Sequence, residues 1–312
     1  MLRVGVVGAG YFGRFHALKV AAGARSVLGG VCDAVPERAA ALAAELGCLA
    51  LGWEALLAGC DAVVIASPAA THHVAAAAAL RAGKHVLVEK PIAASLEEAD
   101  GLIGLALAGG LVLQVGHLLR YSAERAAIVG RVARPAFIEC TRVAPFKARG
   151  TDVSVVLDLM VHDLDMVLSL VDAPLEGVEA VGMAVASGYV DLAHARLRFG
   201  NGAVAMLVAS RVAGRTERSM RVFGAEGVLE LDFGARVLRH VRPGGAEEGG
   251  DWAAVDLIAA EHAAFAAAVL DGAPVLVDGA AGRRALEAAL MVEAAIAASR
   301  EAAVAGGLLP PA

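Results

Sequence analysis

The chain has 312 residues, of which 58% are hydrophobic and 19% are charged, and its formal net charge is −6. This length suits two domains, and the composition predicts a folded globular protein with little room for disorder. Because the charge is acidic and no basic block occurs, nucleic acid is not expected as the main partner.

The four cysteines, Cys32, Cys48, Cys60 and Cys140, are scattered along the chain. None forms a CxxC pair, and no His/Cys cluster has metal-ligand spacing, so we expect no metal site. Scattered cysteines in apolar surroundings are typical of a reducing compartment. The first residues do not resemble a secretion signal, and the longest apolar run, 102–115, is too short to span a bilayer. We therefore expect a cytoplasmic protein without membrane insertion.

A glycine-rich turn follows the first apolar run of the chain. Residues 2–7 predict a buried strand, and residues 14–18 predict a helix. The glycines between them follow the pattern GxGxxG, which allows a tight turn, close approach of a pyrophosphate and close packing of helix on strand. The helix N-terminus then offers N–H groups to the phosphates. We predict that a dinucleotide binds at this turn, through Gly8, Gly10, Tyr11, Phe12 and Gly13.

An acidic residue follows the second predicted strand. That strand covers residues 26–32 and ends directly before Asp33. A carboxylate at this position accepts hydrogen bonds from the ribose 2′-OH of NAD and repels the 2′-phosphate of NADP. NAD is therefore favoured over NADP, although the nearby Arg38 offsets part of that repulsion.

Strand and helix patterns alternate through the first third of the chain, which predicts a doubly wound parallel Rossmann sheet with ligands at the carboxyl ends of its strands. Ser67 and Pro68 follow the third strand, and Glu89 and Lys90 end the fourth. Pro91 restricts the backbone of Lys90, so the ammonium group is positioned. Such a group could stabilise negative charge on an oxygen that loses its proton during hydride transfer. The alternative is a structural lysine paired with Glu89.

Residues 152–170 predict an apolar helix that contains an ionisable pair. Asp158 and His162 are four residues apart, so their side chains share one face of a helix. A pair of this kind costs desolvation energy unless it is satisfied or used. Taken alone, the pair is more simply read as a carboxylate in the N-terminal turn of the helix and a satisfied core histidine than as a catalytic pair.

Basic residues precede this helix. Arg142, Lys147 and Arg149 form a cluster in an otherwise acidic protein, and Arg120 falls near the predicted domain junction. Cations of this kind make charge-assisted hydrogen bonds to phosphate oxygens, so the cluster suits a diphosphate. The alternative is an ordinary solvated loop.

The second half of the chain predicts a large, mostly antiparallel open sheet. Glycine-rich turns at residues 200–202 and 224–227 indicate hairpins. Residues 243–251 predict a surface loop, and two helices are expected over 256–270 and 279–303. The predicted strands cover residues 178–186, 190–199, 203–212, 219–223, 228–233 and 236–241.

Three motifs in this order, Gly8-x-Gly10-x-x-Gly13, Glu89-Lys90-Pro91 and Asp158-x-x-x-His162, resemble the Gfo/Idh/MocA oxidoreductases. The resemblance implies an NAD(P)-binding Rossmann domain, here residues 1–118, and an α/β domain for substrate binding and oligomerisation, residues 119–312. It implies that Lys90 and His162 are catalytic and that Asp158 orients the substrate. Pro68 and His72 match the family's cofactor-side P-xxx-H pattern.

Residues 139–152 are similar to the subgroup of UDP-N-acetylglucosamine 3-dehydrogenases. This implies that an NAD-dependent enzyme oxidises the sugar 3-hydroxyl to a 3-keto sugar for a lipid A precursor. Ser154 and Val161 depart from the subgroup's pattern. His162 would be the general base, since its ordinary pKa lies near neutrality. The rivals are the same chemistry on a free sugar or inositol and a non-catalytic NAD-sensing regulator. A homo-oligomer, dimer or tetramer, is also expected.

Overall fold

A computed structural model describes residues 1–147 and 153–309 of the chain. The described residues form two compact units. The first consists of Met1–Tyr121 and Val255–Leu286, and the second contains the rest of the described chain. The roles predicted for 1–118, cofactor binding, and for 119–312, substrate binding and oligomerisation, stay predictions.

The first unit is built on a parallel sheet with the strand order β2-β1-β3-β4-β5. The strand order reverses beside β1, which is where doubly wound sheets bind ligands. Every residue of β3 is buried, as expected for a strand that is covered on both faces. The strands are β1 (Leu2–Val7), β2 (Ser26–Cys32), β3 (Ala62–Ile65), β4 (His85–Glu89) and β5 (Leu113–Gly116).

Capping residues define where helices of the chain begin and end. In α5, for example, the Ser95 hydroxyl accepts a hydrogen bond from the Glu98 N–H at 3.2 Å, and Gly110 ends the helix with a φ of 62°. No helix among the described residues is both long enough and apolar enough to cross a membrane. The helices are α1 (Tyr11–Ala22), α2 (Pro36–Leu46), α3 (Trp53–Gly59), α4 (His72–Arg81), α5 (Leu96–Gly109), α6 (Ala123–Val129), α7 (Val161–Leu170), α8 (Leu257–Asp271) and α9 (Gly279–Ala305).

The second unit is built on a sheet of eight strands in the described chain, in the order β13-β12-β11-β10-β6-β9-β8-β7. All neighbouring pairs are antiparallel except β6 and β9. This confirms the predicted fold class, a Rossmann sheet followed by a large, mostly antiparallel sheet. The strands are β6 (Phe137–Val143), β7 (Leu175–Met183), β8 (Leu192–Phe199), β9 (Val204–Ser210), β10 (Glu217–Gly224), β11 (Gly227–Asp232), β12 (Val237–Val241) and β13 (Glu247–Asp251).

The prediction was wrong for part of the segment 243–251, which was expected to be a loop. Residues Glu247–Asp251 form β13, an edge strand that pairs with β12. The strand was missed because its sequence, EEGGD, has no apolar alternation. Backbone pairing forms it, and its glutamates lie at an edge, where charged side chains discourage further pairing.

One face of the second sheet is covered by α7, which contacts β6 and β9. Ile138, Cys140 and Arg142 alternate along β6 as its buried residues, whereas the residues between them are partly exposed. The buried side chains Leu164 and Val167 of α7 contribute to the apolar layer in the second unit. The helix that carries the predicted catalytic histidine is therefore anchored on the sheet.

Candidate functional site

The glycine turn after β1 has the geometry expected of a dinucleotide cradle. Gly8 has a φ of 97°, and a Cβ at this residue would lie 2.6 Å from the Ala66 carbonyl oxygen. A Cβ on Gly13 would lie 1.7 Å from the Gly8 carbonyl oxygen, whereas one on Gly10 would meet nothing within 4 Å. The first and third glycines are thus required for backbone packing, and the second borders open space that a pyrophosphate can approach.

The start of α1 and the end of β2 complete this cradle. Gly10 precedes α1 without a side-chain cap, so Tyr11 and Phe12 begin the helix with backbone N–H groups directed outward from its end. Asp33 follows β2, and its carboxylate accepts hydrogen bonds from the N–H groups of Ala9 at 2.7 Å and Val35 at 2.8 Å. These residues fit NAD, because the N-terminus suits a pyrophosphate and the carboxylate suits a ribose hydroxyl.

His72 ties together the segments that follow β3 and β4. It is buried, with 1% of its surface exposed. Its Nδ1 lies 2.7 Å from the Pro91 carbonyl oxygen, and its Nε2 lies 2.9 Å from the Ser67 carbonyl oxygen. Thr71, which precedes His72, donates its N–H to the Pro68 carbonyl oxygen at 2.8 Å. The histidine of the predicted P-xxx-H pattern therefore connects the segment that follows β3 to the segment that follows β4.

Glu89 and Lys90 lie at the carboxyl end of β4, as predicted. The Glu89 carboxylate is 2.8 Å from His16 Nε2 and accepts a hydrogen bond from the Lys90 N–H at 3.2 Å. Burial alone would raise the pKa of Glu89, but the hydrogen bond and charge of His16 outweigh it and lower that pKa. The Lys90 side chain is half-buried, and the Lys90–Pro91 peptide bond is cis. Contact of Glu89 and Lys90 with cofactor stays a prediction.

Asp158 and His162 lie in the second unit, Asp158 inside an unusual helical turn and His162 directly after it. Residues Val156–Met160 form a π-helical turn that leads directly into α7, and the Val161 N–H donates to the Val156 carbonyl oxygen five residues earlier. Turns of this kind are frequent at functional sites. Both side chains are half-buried. Because Lys90 belongs to the first unit, its predicted position opposite this pair stays a prediction.

Arg142 is not part of an open loop but lies on the covered face of β6. Its guanidinium donates two hydrogen bonds to the Asp163 carboxylate, from Nε at 2.8 Å and from Nη2 at 2.6 Å. Burial opposes the charge of Arg142, but the Asp163 carboxylate outweighs it, and the pKa of Arg142 lies above its usual value. Since Asp163 directly follows His162, this ion pair anchors the turn that carries the histidine.

The other three residues predicted to bind substrate are Lys147, Arg149 and Arg120. Lys147 is exposed at the end of the first described segment, and Arg149 lies outside the described residues. Arg120 lies on a short turn, Leu118–Tyr121, and its Nη2 donates to the Leu276 carbonyl oxygen at 3.4 Å. Their contacts with a substrate stay predictions.

Three buried residues near Glu89 received no role from the sequence. His16 in α1 contacts Glu89, and its Nδ1 lies 3.0 Å from Nε2 of His262 in α8. Glu261, the neighbour of His262, is fully buried. The available signal was a glutamate and a histidine inside the alanine-rich run of α8, where buried ionisable groups require partners.

Comparison with known proteins identifies the family. The model described as "Oxidoreductase family, NAD-binding Rossmann fold" matches residues 2–117, and that of the GFO/IDH/MocA C-terminal domain matches residues 128–230. A UDP-N-acetylglucosamine 3-dehydrogenase from Acidithiobacillus ferrooxidans is 43% identical over 309 residues, which cover 95% of this chain and 98% of that protein. The chain belongs to the Gfo/Idh/MocA oxidoreductase family.

This Gfo/Idh/MocA protein is thus an NAD-dependent oxidoreductase, as predicted. The solved structure of the Acidithiobacillus ferrooxidans enzyme superimposes with a TM-score of 0.91 at 44% identity and covers 95% of this chain and 98% of its own. The scyllo-inositol 2-dehydrogenase of Bacillus subtilis is 30% identical over 263 residues, 77% of this chain and 75% of that protein. A Lactobacillus casei scyllo-inositol dehydrogenase structure, 22% identical with a TM-score of 0.82, covers 96% of this chain and 98% of its own and shares the fold.

Proposed function

We propose that this protein oxidises the 3-hydroxyl of UDP-N-acetylglucosamine with NAD and yields a 3-keto nucleotide sugar, for use in a lipid A precursor. The observation that carries the proposal is the 43% identity to an enzyme of that name, which extends over 95% of the chain. The identity to the inositol dehydrogenase is lower and covers less of the chain. A nucleotide sugar is therefore preferred to a free sugar or inositol.

In this proposal the cofactor is held by the first unit. The N–H groups at the start of α1, from Tyr11 to Gly13, bind the pyrophosphate, and Asp33 accepts hydrogen bonds from the adenosine ribose. Ser67 and Pro68 line the same edge of the sheet, where ligands of doubly wound folds bind. Bound NAD supplies the hydride acceptor.

Three side chains act on the substrate hydroxyl and its proton. A ring nitrogen of His162 accepts that proton, because neutral imidazole is a base near neutral pH. The Lys90 ammonium donates a hydrogen bond to the same oxygen and stabilises the negative charge that develops on it. Asp158 accepts a hydrogen bond from the substrate or from His162 and so fixes their mutual orientation.

The diphosphate is bound by the basic residues that follow β6 in sequence. Lys147 and Arg149 supply the charge, and Arg120 adds to it near the end of β5. For Arg142 we propose a positioning role at the substrate site. Both of its observed hydrogen bonds go to Asp163, so it holds the first turn of α7 and the adjacent His162.

The test compares turnover with cofactor binding in two variants. Lys90→Met and His162→Asn are expected to lower kcat for UDP-N-acetylglucosamine by about 10²–10⁴-fold, the usual contribution of acid–base catalysis. The affinity for NAD, measured by calorimetry, is expected to change little, because neither residue forms the pyrophosphate cradle.

Matched controls are available for both changes. Lys84→Met removes the lysine at the amino end of β4, and His194→Asn removes an exposed histidine on β8. Both controls should keep near-normal kcat. If the Lys90 and His162 variants also keep near-normal kcat, the mechanism is wrong. If only free sugars or inositols reduce NAD, the substrate is wrong while the mechanism stands.

We further propose a homo-oligomer, a dimer or tetramer, in the cytoplasm. The second sheet exposes Met183 and Met206 on β7 and β9, with 47% and 38% of their surfaces accessible. A second copy of the chain could cover such residues. All four cysteines are free, as is usual in a reducing compartment. Light scattering that finds only monomers would refute the oligomer.

A further inference from the structure

A cluster of ionisable side chains lies in the interior of the first unit. It consists of His16 from α1, Glu89 at the end of β4, and Glu261 and His262 from α8. Each of the four has 8% or less of its surface exposed. One side-chain nitrogen or oxygen each from His16, Glu89 and Glu261 lies within 4.8 Å of the other two. Two carboxyl groups and an imidazole therefore converge on one buried point.

Glu261 is the unsatisfied member of this cluster. Both of its carboxyl oxygens are buried and have no hydrogen-bond partner among the described residues. Protonation would remove the charge, but the resulting O–H would itself need an acceptor, and buried polar groups are rarely left unpaired. The Glu261 carboxyl group therefore lacks a hydrogen-bond partner among the described residues both when it is charged and when it is protonated.

We propose that His16, Glu89 and Glu261 bind a divalent transition-metal cation such as Zn²⁺ or Mn²⁺. Imidazole and carboxylate are ligands that both ions accept. One dication balances the two carboxylates, and it gives the Glu261 oxygens the partner that the described residues do not supply. Three protein ligands leave one coordination position for a water molecule.

His262 is placed to orient the imidazole ligand. Ligation requires that His16 Nε2 carry a lone pair, and its Nδ1–H then donates to His262 Nε2 at 3.0 Å. The His262 ring is buried, with 7% of its surface exposed, and in its neutral form its Nε2 can accept this hydrogen bond. Partners of this kind fix the tautomer of metal-binding histidines.

One of the three proposed ligands is the neighbour of the predicted catalytic lysine in the sequence. Glu89 immediately precedes Lys90 and accepts its backbone N–H at 3.2 Å. A cation bound to Glu89 would therefore hold the end of β4 in place. This role is structural and does not depend on the substrate or on the hydride transfer proposed above.

The experiment uses the purified full-length chain, stripped with a chelator, dialysed, and titrated with Zn²⁺ and separately with Mn²⁺. Metal content after gel filtration is measured by plasma mass spectrometry, and thermal unfolding is followed in parallel. We expect about one ion per chain for at least one of the metals, with a raised Tm, because binding to the folded state alone stabilises it.

Variants distinguish the cluster from adventitious surface binding. Glu261→Gln should lose the bound ion, and His262→Gln should weaken binding by about 10- to 100-fold, as for other partners of ligating histidines. Glu37→Gln, at an exposed glutamate of α2, is the control and should bind like the wild type. If the stripped wild-type chain binds neither metal, or if Glu261→Gln binds as well as Glu37→Gln, the proposal is overturned. If Glu261→Gln does not fold, His262→Gln decides the matter, because metal binding by this variant as tight as that of Glu37→Gln would also overturn the proposal.

Discussion

Replacing Asp163 by Asn tests whether the buried ion pair anchors α7 to the second sheet. The substitution keeps the size of the side chain and removes its charge. Arg142 remains on the covered face of β6, where 7% of its surface is exposed. The variant therefore contains a buried guanidinium whose carboxylate partner has been replaced by a neutral amide.

The expected cost follows from the geometry of the pair. The Asp163 carboxylate accepts two hydrogen bonds, at 2.8 and 2.6 Å, from one guanidinium. Breaking a buried pair by removing one partner costs about 3–5 kcal/mol, because the remaining charge is uncompensated. A domain of this size loses about 2–4 °C in Tm per kcal/mol, so Tm should fall by roughly 10 °C.

Urea unfolding and thermal unfolding measure this loss. The control is Glu179→Gln, which removes an exposed ion pair with Arg196 at 3.3 Å on the same sheet and should change stability by less than about 1 kcal/mol. A double variant, Arg142→Met with Asp163→Leu, should recover most of the loss, since apolar pairs often replace buried ion pairs without cost. If Asp163→Asn is no less stable than the control, the pair does not anchor α7.

Two further substitutions follow from the structure. Gly13→Ala should abolish NAD binding that calorimetry can measure, because the added Cβ would lie 1.7 Å from the Gly8 carbonyl oxygen. The control is Gly104→Ala in α5, where a Cβ meets nothing within 4 Å, and it should bind NAD normally. Normal NAD binding by Gly13→Ala would contradict the predicted cradle. Asp191→Asn should cost about 2–3 kcal/mol in urea unfolding, since the carboxylate accepts three backbone N–H bonds and a serine hydroxyl. Burial would raise the pKa of Asp191, but these hydrogen bonds outweigh it and lower that pKa. The stabilisation that Asp191 contributes is therefore fully present above its unfolded-state pKa, and it is lost as pH falls through the lower folded-state pKa. The gap in stability between wild type and variant should therefore narrow in acid, and an unchanged gap would refute the assignment.

The first unit could be predicted largely from the sequence, because its signals are local. Apolar runs mark the buried strands, and the residues that follow those runs, such as Asp33 and Lys90, must lie at the carboxyl edge of a parallel sheet. The spacing of the glycines in the first turn also predicts their role, which is to allow close backbone packing. The family resemblance then assigned roles to these positions.

The features that were missed depend on tertiary contacts. Arg142 precedes a loop in sequence, and nothing local shows that it is buried against Asp163, 21 residues away. The π-helical turn before α7 changes the hydrogen-bond spacing of a segment whose pattern predicts an ordinary helix. Likewise, His16, Glu89 and Glu261 come from three distant parts of the chain, so only the fold brings them together.

The most direct test of the central claim uses UDP-N-acetylglucosamine that carries deuterium at carbon 3. If the chain oxidises the 3-hydroxyl by hydride transfer, mass spectrometry should find deuterium in the reduced cofactor and a 3-keto nucleotide sugar without deuterium at carbon 3. NADH that contains only protium, formed while the sugar keeps its label, would show oxidation at another position. No reduction of NAD by this substrate would contradict the proposed function outright.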